Sequence, residues 1–120
     1  MDSKLLFLNK KGIDTNVGLS YLGDETMYNE ILLDFKNGFI KQMGDIRKAY
    51  ESSDYANYVI LVHALKSNCK TLGITSLADL AYNHEMKGKE NDITYIHEHI
   101  SELFLKANEI YKILEDYFAS

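Results

Sequence analysis

A chain of 120 residues, 46% hydrophobic and 26% charged, has the length and composition of one domain with its own core. A net charge of −5 gives no general attraction to nucleic acid or an anionic membrane, and the single cysteine excludes an internal disulfide framework and fits a reducing compartment. The apolar stretch Leu5–Leu8 is too short for a signal-peptide core or a membrane span, which predicts a soluble, cytoplasmic protein with no membrane insertion.

The first twenty residues read as a short helix or an arm, with 1–11 as the stretch that could be flexible. There is no proline, which permits long helices, and periodicity locates them. Tyr28, Leu32, Phe35, Phe39, Met43, Ile46 and Tyr50 form a stripe that predicts helix from about Asp24 to Glu51. Gly38 and Gly44 interrupt it at a cost of about 1 kcal/mol each, so this stretch reads as two consecutive helices or one bent helix. "ESSD", residues 51–54, reads as a turn with a serine N-cap. The next helix spans about Asp54 to Leu72, and Gly73 stands where a C-cap glycine is wanted. Thr75 and Ser76 restart a shorter helix with Leu77, Leu80 and Ala81 on one face, ending in a turn around residues 87–92. Finally, Ile93, Ile96, Ile100, Leu103, Ala107, Ile110 and Leu114 make one unbroken stripe on a long helix, capped by Asn91 or Asp92. Together these elements predict an all-α single domain over residues 1–120. Its architecture is expected to be an antiparallel up-down four-helix bundle with a short N-terminal helix or arm.

The chemistry concentrates in "HALKSNCKTLG", residues 63–73. On a wheel of about 100° per residue, Tyr58, Leu61, Val62, Leu65, Cys69 and Leu72 fall in one core-facing arc. His63 lies opposite that arc, with Lys66, Ser67 and Lys70 clustered around it, so its ring is expected in solvent between two cations and a small hydroxyl residue. Val59 and Ile60 share the outer sector and read as a docking patch beside the ring, although a helix buried on more than one side, cover by the N-terminal arm, or ordinary scattered surface aliphatics would give the same pattern.

A neutral imidazole is a nucleophile, and the Lys66 ammonium one turn away is a charge-assisted partner for phosphate oxygens. The sequence has no phosphate-cradling G-x-x-x-x-G-K-[ST] loop, and this helix carries no magnesium carboxylate cluster. The residues therefore support a phosphoryl carrier with no cofactor of its own, whose phosphoryl group and metal ion come from a partner. His97 and His99, two residues apart on one helix, point about 200° away from each other and cannot share a metal. His84 reads as a core-edge residue, and Cys69 as a small buried hydrophobe about 240° around the wheel from His63.

The same eleven residues resemble the signature of histidine-containing phosphotransfer domains: His63, Leu65, Lys66, Leu72 and Gly73 match it in place. "GID" at 12–14, "GDETMYNEILLDF" at 23–35 and "LADLAYNHE" at 77–85 resemble the family's entry segment, first helix and neighbouring helix, so the similarity covers about residues 12–117. The resemblance implies a monomeric phosphorelay module that takes a phosphoryl group from a receiver-domain aspartate and passes it to another receiver. It implies His63 as phosphoacceptor and Lys66 as the residue beside the phosphoryl group. The implied partners are response-regulator receiver domains or a hybrid sensor histidine kinase, with magnesium bound by the receiver. Ser67 stands where the family usually has glycine, and Asn68 and Cys69 replace its usual small residues, a departure that bears on partner choice and phosphohistidine stability. The alternative is an adaptor bundle that binds a receiver or another helix through Val59, Ile60 and Lys66 without passing phosphate.

Overall fold

The computed structural model describes residues 3–119, which are helical almost throughout and contain no strand. The helices are α1 (Ser3–Lys10), α2 (Thr15–Leu22), α3 (Glu25–Glu51), α4 (Tyr55–Leu72), α5 (Thr75–Lys89) and α6 (Ile93–Ala119). No helix among the described residues is long and apolar enough to cross a membrane.

Asp24 starts α3 by accepting the Met27 amide at 2.8 Å, and the predicted stripe from Tyr28 to Ile46 is buried along its whole length. The helix does not break at its glycines. Gly38 and Gly44 lie on the outward face with nothing within 4 Å of an added Cβ, and the apolar stripe clamped against α4 and α6 offsets their propensity cost. α4 is capped by Asp54, which accepts the Asn57 amide at 3.2 Å, and not by a serine. Ser52 instead closes α3, its hydroxyl donating to Lys48 O at 2.8 Å. Of the two cap candidates for α6, Asp92 does the work, accepting the Tyr95 amide at 3.1 Å, while Asn91 makes the turn at φ 59°. α5 extends through Lys89, so the turn before α6 is shorter than predicted.

The N-terminal stretch is two short helices, not a loose arm: Leu5, Leu8 and Ile13 are fully buried, although Met1 and Asp2 lie outside the described residues. Asn9 pins them together, donating to Thr15 Oγ1 at 2.9 Å and accepting the Thr15 amide at 3.2 Å. α2 is in turn tied to the end of α4, where the Asp14 amide donates to Gly73 O at 2.8 Å. Gly73 has φ +78°, and a Cβ there would sit 1.9 Å from Asp14 O, so both conformation and space demand glycine.

Each long helix packs on two others: α3 against α4 and α6, and α5 against α4 and α6. Tyr28, Tyr58 and Tyr117 anchor the interior, and Tyr28 satisfies its hydroxyl on Leu72 O at 2.8 Å.

These glycines separate experimentally. Gly73→Ala is expected to lower unfolding stability by about 2 kcal/mol or more. Gly38→Ala and Gly44→Ala should each raise it by up to about 1 kcal/mol, as read by chemical denaturation.

Candidate functional site

The site forms where α5 comes closest to α4. Ala78, Ala81 and Gly88 give α5 a low face there, and a Cβ on Gly88 would meet Val59 Cγ2 at 2.5 Å. Val59 is therefore half-buried, with one side of its side chain against α5, the second-side burial that the sequence left open. Ile60, by contrast, is 65% exposed.

The same close approach carries Glu85 inward. Its side chain is only 2% exposed, yet it is a carboxylate. His63 Nδ1 lies 2.6 Å from Glu85 Oε2 while the ring stays 55% exposed. Lys66 Nζ is 3.0 Å from Glu85 Oε1, and Lys89 Nζ is 3.0 Å from Oε2. Oε1 takes its ion-pair contact from Lys66 without a well-aligned hydrogen bond, so most directional bonding falls on Oε2. Burial pushes the Glu85 carboxyl up; the polar contacts from Lys89, Lys66 and His63 and the nearby lysine charge outweigh it and hold the group down at about 2.

An ionised carboxylate can only accept, so His63 Nδ1 carries the proton. Lys66 Nζ, 3.4 Å from Nδ1, is beside the ring but bonded to Glu85. The consequence is chemical. With its proton on Nδ1, the imidazole keeps its lone pair on Nε2, the nitrogen with no partner among the described residues.

Ser67 and Lys70 are exposed, as the wheel predicts, but the ring's polar partners are Glu85 and Lys66. Lys70 instead joins Lys66, Val17, Tyr21, Thr75 and Tyr82 around a groove of about 280 Å³ between α2, α4 and α5, immediately beside the histidine. A second hollow, about 410 Å³ between α3 and α6, contains none of these groups.

The other histidines are arranged differently. His84 is fully buried, sharing a 2.9 Å bond with the Tyr58 hydroxyl, and is deeper than a core edge. His97 meets the hydroxyls of Tyr50 and Tyr55 on its two ring nitrogens. His99 pairs with Glu102 at 2.7 Å, but that carboxylate is 58% exposed.

No known protein family, curated protein or solved structure compared with the chain matches it.

Glu85 is the residue of this cluster that single-helix reasoning misses. A signal was present: Leu77, Ala78, Ala81, His84, Glu85 and Gly88 repeat at helical spacing and are all buried, so two polar residues stand in an inward-facing row.

Acid stability should decline in two stages. His84 is held below its ordinary 6.5, chiefly by burial, so the unfolded chain takes up a proton first and stability falls as pH drops through that value. Glu85 is depressed from 4.5 to about 2, so its contribution is whole above 4.5 and lost between those limits. That contribution is on the order of 3 kcal/mol. Glu85→Gln should abolish the second stage and leave the first, as measured by denaturation across pH 2–7.

Proposed function

We propose that this chain is a phosphocarrier of the histidine-containing phosphotransfer type, with His63 as phosphoacceptor and Lys66 beside the phosphoryl group. The observation that carries the reading is a half-exposed imidazole whose inner nitrogen is held by a buried, ionised carboxylate. In the proposed step, His63 Nε2 attacks the phosphorus of a receiver's aspartyl phosphate. The N–P bond forms, the acyl-phosphate O–P bond breaks, and the aspartate leaves as carboxylate. The ring becomes positive as Nε2 commits its lone pair, and Glu85, 2.6 Å from Nδ1, offsets that charge without moving. Transfer to a second receiver reverses these events. Lys66 is close enough to the ring to meet phosphoryl oxygens.

The closed ring of contacts among α3, α4, α5 and α6, joined by short turns, supports an antiparallel up-down four-helix bundle, with α1 and α2 packed at one end. Under this reading the partners are receiver domains or a hybrid sensor histidine kinase in the cytoplasm. The receiver supplies magnesium, and the carrier needs no cofactor. Ile60 and the Lys66–Lys70 groove lie on the side a receiver would approach.

Incubation with a phosphorylated receiver and magnesium is expected to give an acid-labile, base-stable label on the wild-type chain. His63→Gln should reduce that label to background, whereas His99→Gln should retain it. Binding of the receiver without any label on the wild type would establish the adaptor alternative instead.

A further inference from the structure

Glu85 has one more cation than its charge requires. Two ammonium groups, Lys66 and Lys89, sit 3.0 Å from its oxygens, and His63 donates to it as well. The two lysines are not equivalent. Lys66 comes from α4, is 21% exposed and lies beside the imidazole. Lys89 comes from one turn along α5, is 55% exposed, and binds the very oxygen, Oε2, that receives the His63 proton.

We infer that Lys89 is a positioning residue for His63, acting through Glu85: it keeps the carboxylate charged and aimed at Nδ1 while Lys66 leaves to meet the phosphoryl group. This deepens the phosphocarrier reading and rests on it. If Lys66 were the sole cation on Glu85, its departure toward phosphoryl oxygens would strip a buried carboxylate of its counter-ion, which is costly. With Lys89 in place the buried charge stays neutralised throughout, and Lys66 is released at little penalty. The surplus cation also matches the change in load, since the phosphoryl group brings about two negative charges to a cluster that starts one positive. The (i, i+4) placement, with the acid N-terminal to the base, is the favourable helical orientation, so Lys89 reaches Oε2 without distorting α5.

The test uses the full chain labelled with ¹³C and ¹⁵N, together with a phosphorylated receiver and magnesium. Wild type is expected to show His63 with the proton on Nδ1 and a Glu85 titration near pH 2. In Lys89→Met the Glu85 midpoint should climb, and, with Oε2 no longer held in place, the Nδ1-protonated share of neutral His63 should fall. The labelling rate should drop about tenfold. Lys89→Arg should restore all three to within about twofold, because arginine keeps the charge-assisted bond. Lys112→Met, an exposed lysine on α6, controls for lost surface charge, and denaturation midpoints control for folding. Unchanged Glu85 titration and His63 tautomer in Lys89→Met would overturn the inference, whatever the labelling shows. If wild type takes no label but the tautomer shifts as described, the positioning role of Lys89 stands and the relay reading falls.

Discussion

The site depends on one buried carboxylate kept ionised. A lone carboxylate taken out of water would neutralise by binding a proton, and a protonated Glu85 could donate to the ring as well as accept from it. Two lysines prevent this, and the result is a directional constraint: an acceptor fixed 2.6 Å from one nitrogen of an otherwise exposed ring. Everything distinctive about His63 follows from that constraint. Exposure makes the ring reachable, and Glu85 decides which nitrogen faces the visitor.

The fold is arranged so that this pairing can exist. A carboxylate with a short side chain reaches a histidine on the next helix only if the two axes are close, and Gly88 against Val59 sets that approach. The end of α4 is fixed by Gly73, whose carbonyl receives the Asp14 amide, so α2 and the α4–α5 turn hold each other. Lys66 and Lys70 thereby face a groove whose far wall is α2. The two N-terminal helices are thus part of the surroundings of the site rather than an appendage.

Much of this was legible in the residue order. Stripes at alternating steps of three and four located α3, α4 and α6, and the left-handed demand at Gly73 marked the end of α4. The continuity of α3 was not legible, because whether Gly38 and Gly44 break a helix depends on the neighbours that clamp its other face. The Asp54 cap was obscured by two adjacent serines that could play the same part. α1 and α2 are eight residues each, too short for a period to stand out, and their order rests on the Asn9–Thr15 pair and on burial of Leu5 and Leu8. His63 was placed outward correctly, but its second identity, as the donor to a buried acid, belongs to α5. A helical wheel treats each helix alone, and Glu85 acquires meaning only when α4 supplies His63 and Lys66.

The comparison within the molecule bears on whether the ring carries a group or merely decorates a surface. His99 and Glu102 form a pair of nearly the same length as His63 and Glu85, yet Glu102 is 58% exposed and solvent can take its place. Burying Glu85 is different in kind, since desolvating a carboxylate costs several kcal/mol that its partners must return. A docking surface reads the ring's outer edge, where the tautomer decides whether Nε2 donates or accepts, but it needs no counter-charge for the ring. Control of the inner nitrogen matters when the outer one must offer a lone pair and then tolerate the positive charge left behind. A buried acid is the group that does both, because its charge is present before the reaction and needs no solvent to reorganise around it. The molecule spends this arrangement on His63 and on none of its other three histidines, and that contrast is the ground on which a carrier is proposed.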